Sequence, residues 1–303
     1  MRSQIEGLAN LISNSYHNFD VKLYSLFKKL PIQLIPAKEF AYKNINDISI
    51  KEKTIVISCG KKSVKASIIL KEKFYPHVFN IHIQDPKTKY DLFDLILCPE
   101  HDNLNKPNSL STTLALHNIK FNKKQTDRNI INFIIGGPNK YFKFGDNVCE
   151  NLTTEILNLS KKYKLNLIPS RRTPNSYLKT LKNLKSKNIH IFEDLFNPIE
   201  YGNLLSKGSY QIVTWDSISM ISEAISSEKS TYIYRYEERN CPSRYKIFFE
   251  NIINKNLARF YKEDLQNFTP NLGTYNNELK SKILNKIESH LWFNSNAPKR
   301  FNS

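Results

Sequence analysis

Short apolar runs rich in β-branched residues alternate with helix-periodic segments along this chain, and that alternation restricts the fold to parallel α/β architecture. The runs are "TIVISCG", "VFNIHIQDP", "LFDLILCPEHD", "IINFIIGG", "LNLIPS", "NIHIFED", "YQIVTW" and "STYIYRY", each ending in a polar or Gly/Pro turn. Helical segments include "RSQIEGLANLIS", "KKSVKASIILKEKF", "NVCENLTTEILNLSKKYK", one opened by Pro174, and "SISMISEAIS". The stretch "NLNKPNSLSTTLALHNIKFNKKQTDRN" is rich in Pro, Asn and Lys and reads as a linker. The expected organisation is an N-terminal Rossmann-like domain over 1–127, a second over 128–275, and an amphipathic helix over 276–303. Leu279, Ile283, Ile287 and Leu291, at four-residue spacing, mark the core face of that last helix.

Composition narrows the partners. The 303 residues carry 45 Lys plus Arg against 28 Asp plus Glu, a formal charge of +17 that favours anionic partners. Abundant Lys, Asn and Ile, the residues of A/T-rich codons, account for much of this excess as solvated faces. No motif interleaves aromatics with lysines in a nucleic-acid-binding pattern, so nucleic acid is an unlikely partner. The four cysteines are scattered and form no C-x-x-C pair, which points to buried thiols rather than a zinc site or disulfides. No secretory leader is read ahead of the first helix, and no apolar stretch approaches the ~18 residues of a spanning helix. A cytoplasmic location is expected, with peripheral association at the inner, anionic face of the membrane as a further expectation.

Ligands of open parallel sheets bind outside the carboxyl ends of the strands. In the first half that rule nominates Ser58, Gly60 and Lys61, then Gln84 and Asp85, as an acceptor-side set. His101 and Asp102, after "LFDLILC", are the general-base candidates, since an imidazole with a near-neutral pKa suits deprotonating a hydroxyl. In the second half the turns contribute Gly136, Gly137 and Asn139; Ser170, Arg171, Arg172 and Thr173; and Thr214, Asp216, Ser217 and Ser219. Paired glycines let main-chain N–H groups approach an anion, arginines supply forked donors, and a helix start supplies free N–H groups and a positive dipole end. Glu223, one turn into that helix, is placed to accept from ribose hydroxyls. Each feature alone has an ordinary account as a turn, a solvated pair or a cap. Their order on successive strand ends suggests a diphosphate site. No metal is expected, because the two Asp of "DLFD" flank strand residues.

The blocks "ISCGKKSV", "FDLILCPEHD", "FIIGGPNKYFKF", "SRRTP", Asn197-Pro198 and "VTWDSISMISEA" resemble, in order, those of the mitochondrial-fission ELM-like family of bacteria and plants. The resemblance spans nearly the whole chain. It implies a GT-B glycosyltransferase-like fold, two Rossmann-like domains facing a cleft. It also implies donor contacts at Gly136, Gly137, Arg171, Arg172, Ser217, Ser219 and Glu223. Plant members are associated with recruiting a fission dynamin, a role that needs no catalysis. Gln4, Gly7, Leu8 and Ala9 match the family's Gln-x-x-Gly-Leu-Ala helix, but the strand that precedes it in the family has no counterpart after Met1. Either the start is read too late or the N-terminal domain lacks its first strand, which would leave a central gap in its sheet. Lys61-Lys62 replace arginines, and Leu114 replaces a glycine.

Two functions follow as expectations. One is transfer of a sugar from a nucleoside-diphosphate donor to an acceptor hydroxyl, with no obligatory cofactor beyond the donor. The other is a non-catalytic adaptor at a membrane surface that recruits a protein partner.

Overall fold

The computed structural model describes residues 1–13, 15–122, 127–195 and 197–293. It contains two compact units. The N-terminal unit comprises Met1–Thr112, Leu116–Asn118 and the segment from Tyr275; the other comprises Thr113–Ala115 and Ile119–Thr274. Both are parallel α/β and Rossmann-like.

The N-terminal unit runs α1 (Arg2–Ile12), α2 (Ser25–Lys28), β1 (Thr54–Cys59), α3 (Lys61–Lys73), β2 (Val78–Ile83), β3 (Leu95–Pro99) and β4 (Ser109–Thr112). Its sheet has the order β1-β2-β3-β4, and every pairing is parallel. Among the described residues no strand precedes α1. The four strands nevertheless pair without interruption, with β1 at one edge, so no gap lies inside the sheet as it stands. β4 is formed by residues that the Pro- and Asn-rich composition assigns to the linker.

Strand β2 is buried along its whole length, and the two-residue alternation of a strand divides its side chains between two layers. Phe79, Ile81 and Ile83 share a core with Leu8, Leu95 and Leu97, and with Leu279, Ile283 and Ile287 of the C-terminal helix. Leu291 of that stripe lies outside the described side chains. His82, on the other face, accepts or donates at Ser58 Oγ across 2.8 Å. Burial holds the His82 imidazole down at about 4, so it stays neutral at physiological pH.

The C-terminal unit runs β5 (Asp127–Ile135), α4 (Asp146–Ser160), β6 (Lys164–Pro169), α5 (Asn175–Lys182), β7 (Ile189–Ile191), α6 (Pro198–Lys207), β8 (Gly208–Thr214), α7 (Ile218–Ser226), β9 (Ser230–Tyr234), α8 (Ser243–Asn254) and β10 (Arg259–Phe260); α9 (Leu272–Phe293) follows. The sheet order is β10-β9-β8-β5-β6-β7, all parallel. Ile131, Phe133 and Ile135 of β5 meet Leu152 and Ile156 of α4 and Tyr177 of α5 in one core. The opposite face carries buried amides. Asn166 donates to Asn132 at 2.8 Å, and Asn132 and Gln211 donate to the carbonyls of Leu204 and Leu205, which seats the end of α6 on the sheet. Helix α6 begins with Pro198 and is capped by Asn197, whose side chain accepts from the Ile199 N–H at 2.9 Å.

Candidate functional site

Because β5 lies between β8 and β6, the turns that leave these strands are neighbours at their carboxyl ends. The chain leaves β5 on one side toward β6 and returns through β8 on the other, the switch in direction beside which α/β sheets hold ligands. Gly136, Gly137, Asn139, Ser170, Arg172, Thr173, Thr214 and Asp216 are brought together there.

What they hold is the side chain of Asp216. The carboxylate is fully buried, and its Oδ2 accepts from Arg172 Nη2 at 2.6 Å and from the Gly137 N–H at 3.3 Å. Its Oδ1 accepts from Thr214 Oγ1 at 2.7 Å, and Thr214 Oγ1 in turn accepts from the Gly136 N–H at 2.7 Å. Arg172 Nη1 donates to the Gly137 carbonyl at 3.3 Å. Asn139 Nδ2 donates to the Asp216 carbonyl at 2.9 Å, while its Oδ1 accepts from the N–H groups of Tyr141 and Phe142. Thr173 Oγ1 lies 2.7 Å from the Gly136 carbonyl and accepts from the Ser170 N–H at 3.0 Å. The expected arrangement for gripping a diphosphate, with Gly137 and Arg172 free, is therefore corrected: an internal carboxylate already takes both donors.

The glycine pair has the same explanation. A β-carbon on Gly136 would collide with the Asp216 carboxylate, and one on Gly137 would collide with the Arg172 backbone carbonyl. Close approach is required, but by groups of the chain itself.

Donors outside this network remain at α7. Ser217 caps the helix through its Oγ, which accepts from the Met220 N–H at 3.4 Å. Ser219 and Arg171 are exposed. Glu223 lies one turn along, and burial pushes its carboxyl up to about 7. The phenol of Tyr201, on α6, is raised first by burial and then by the charge of Glu223.

Aromatic residues that the sequence reading missed line the underside of the β5 turn. Phe142 lies edge-on to Trp215, Tyr236 and Tyr245, at centroid distances of 5.1, 6.1 and 5.3 Å. Arg244 stacks on the rings of Tyr141 and Tyr245, both at 5.6 Å. Pro242, placed ahead of a helix-periodic run, was the available signal for the α8 start.

In the N-terminal unit the strand-end residues are also largely committed. Ser58 is 3% exposed and bonded to His82, which corrects its assignment to an acceptor-facing set. Gly60 has a φ of 80°, a conformation that glycine adopts readily. Lys61 Nζ donates to the Lys28 carbonyl at 3.0 Å, Gln84 Nε2 donates to Gln4 Oε1 at 3.0 Å, and Asp85 Oδ1 accepts from the Lys87 N–H at 2.8 Å. His101 Nε2 stands 4.0 Å from Asp102 Oδ1, beyond hydrogen-bond reach, so Asp102 does not orient the ring through a direct bond in this state. Burial lifts the Cys59 thiol to about 11 and the Cys98 thiol to about 12, leaving both as protonated thiols near neutrality.

Comparison with known proteins gives the lineage. The chain is 27% identical over 317 aligned positions to "Uncharacterized protein RP120" of Rickettsia prowazekii (strain Madrid E), covering 86% of this chain and 87% of that one. It is 23% identical over 218 positions to "Mitochondrial fission protein ELM1" of Arabidopsis thaliana, covering 59% of this chain and about half, 51%, of the plant protein. Among solved structures, a putative UDP-N-acetylglucosamine 2-epimerase from Listeria monocytogenes superposes with a TM-score of 0.47 at 12% identity, over 78% of this chain and 66% of that one. The S. aureus MnaA–UDP co-structure gives 0.40 at 16% identity, over 82% and 78%. The family description "Mitochondrial fission ELM1" matches residues 1–281, and the chain belongs to that family.

Proposed function

We propose that the C-terminal unit binds a nucleoside-diphosphate sugar at the N-terminus of α7, and that the protein transfers the sugar to an acceptor hydroxyl. The observation that carries this reading is the position of α7. Its N-terminus follows β8 at the carboxyl end of the sheet, beside the β5 and β6 turns, where free N–H groups and the dipole favour an anion. Exposed Arg171 on the β6 turn supplies a permanent charge, and Glu223 supplies an acceptor for ribose hydroxyls. The Arg172–Asp216 pair, with its carboxylate fully buried, then serves as a foundation that fixes the turns rather than as a ligand contact.

Thermal shift and calorimetry with uridine diphosphate and uridine-diphosphate sugars test the reading. A specific ligand at a hundred times its Kd stabilises the folded state by about 2.7 kcal/mol. Arg171→Ala should weaken binding by roughly tenfold or more, as expected for one charge-assisted contact. An Arg171→Ala protein that binds as tightly as wild type removes the assignment.

A second reading is favoured by one observation: a carboxylate of the chain itself accepts from the Gly137 N–H and pairs with Arg172. On that reading the protein is a non-catalytic adaptor at a membrane surface. It predicts no stabilisation by any nucleoside diphosphate and no transfer from any donor.

A further inference from the structure

Among the described residues, most of the large hydrophobic side chains left in solvent fall in one stretch: Tyr16, Phe19, Tyr24, Leu26, Leu34 and Phe40. The same stretch also fills a core. Leu23, Ile35, Ala41, Tyr42 and Ile45 are buried and pack on Ala66, Ile69 and Leu70 of α3. The exposed residues are therefore the remainder of a folded segment, not a segment that failed to dock. Leu26 is 73% exposed, Phe40 65% and Leu34 64%, and the single turn of α2 buries no residue at all.

Contacts join the two segments that carry the central members. An antiparallel bridge between Leu23 and Tyr42 sets the ribbon at 22–24 beside that at 41–43. Phe27 and Phe40 lie 6.2 Å apart between ring centroids, and Lys43 Nζ sits 5.4 Å over the Tyr24 ring. Leu26 adjoins Phe27 on α2. Lys22, Lys28, Lys29, Lys38 and Lys43 of this stretch are all exposed, and Lys61 is drawn in through its bond to the Lys28 carbonyl. The stretch from 16 to 43 holds two carboxylates, Asp20 and Glu39. Glu39 is tied to Lys73 at 2.8 Å, so it does not offset the lysines named.

We infer that this face, centred on Tyr24, Leu26 and Phe40 with Lys28, Lys29 and Lys43 around them, docks on an anionic lipid bilayer. Charge complementarity decides the occupant. Apolar tips flanked by an excess of positive charge, five lysines against Asp20 and the paired Glu39, suit the boundary between acyl chains and phosphate headgroups. There the tips enter the apolar layer while lysines extend their stems and keep their ammonium groups at the phosphates. The inference is independent of whether α7 holds a nucleotide, because that site and its test involve residues of the other unit.

Co-sedimentation of the full chain with phosphatidylglycerol–phosphatidylcholine vesicles, against phosphatidylcholine alone, tests it. Wild type is expected to sediment with the anionic vesicles, to be released by salt, and to ignore the neutral ones. Leu26→Ser with Phe40→Ser should lower the partition coefficient about tenfold at constant salt. Lys28→Glu with Lys29→Glu should lower it at least as much, at roughly fivefold per charge. Both variants alter exposed groups, and an unchanged melting temperature checks that the fold is intact. Failure of wild type to bind overturns the inference. So does retention of binding by the Leu26/Phe40 variant, which would reduce the effect to net charge. Self-association of wild type that this variant abolishes, seen by analytical ultracentrifugation, would assign the face to a second copy and overturn it equally.

Discussion

Replacing Asp216 by Asn is expected to destabilise the C-terminal unit by about 2–4 kcal/mol. The carboxylate accepts from Arg172 at 2.6 Å, from Thr214 at 2.7 Å and from the Gly137 N–H at 3.3 Å. A net hydrogen bond to a charged group contributes about 1.5–3 kcal/mol. An amide oxygen can keep the bonds from Arg172 and Gly137 but without the charge, and its N–H group faces Thr214 Oγ1, so charge assistance is lost from all three and one bond must reverse. The Arg172 side chain is 37% exposed and can rehydrate, which discounts its share. For a unit of this size each kcal/mol corresponds to about 2–4 °C, so the melting temperature should fall by roughly 5–15 °C. Urea unfolding followed by the fluorescence of Trp215, adjacent in sequence and 5% exposed, reports on this region. A double-mutant cycle with Arg172→Met should return a coupling of about 1–3 kcal/mol. Coupling below about 0.5 kcal/mol, within the error of independent sites, would mean that the guanidinium does not hold the carboxylate. Arg172 would then return to the set of groups free to meet a ligand.

Two further outcomes follow from the same geometry. Burial raises Glu223 from 4.5 to about 7, so the folded state binds more protons than the unfolded one between those values and loses stability as pH rises through that window. Glu223→Gln should therefore exceed wild type by up to about 3 kcal/mol at pH 8, with the difference vanishing below the unfolded value; a difference independent of pH refutes this. Gly137→Ala sets a β-carbon against the Arg172 carbonyl and should cost about 1–3 kcal/mol, whereas Gly145→Ala, with open space at its β-carbon, should be neutral or slightly stabilising when the two are compared by chemical denaturation.

The fold was legible wherever apolar periodicity was strong. The fully buried β2 and the central β5 and β8 read directly as strands. Strand β4 was hidden because its four residues, Ser109–Thr112, sit in a Pro- and Asn-rich stretch and owe their extended state to pairing with β3, a tertiary cause. Helix α6 carried its signal openly, an Asn cap followed by Pro at the first position, yet only the Asn-Pro pair was noticed. At the site the sequence located the strand-end turns but not the direction of their side chains. Thr214 and Asp216 are two residues apart and bond to each other at 2.7 Å, an arrangement consistent with strand alternation continuing through Trp215. That parity was the available clue that Asp216 turns toward Gly136 and Gly137 rather than away from them.

The charge balance of the three turns reorders the roles of the two arginines. Arg172 and Asp216 form an ion pair, so the part-exposed guanidinium is largely offset by the buried carboxylate beneath it. The α7 terminus adds a fractional charge of about +0.5 and Arg171 a full one, and Arg244 stands on Tyr141 and Tyr245 beside the β5 turn. On the proposed reading, the nucleoside end of the ligand would fall to Glu223, one turn into α7. With its carboxyl raised to about 7, Glu223 can donate to as well as accept from a hydroxyl, and on the proposed reading the Arg172–Asp216 pair contributes rigidity rather than a contact.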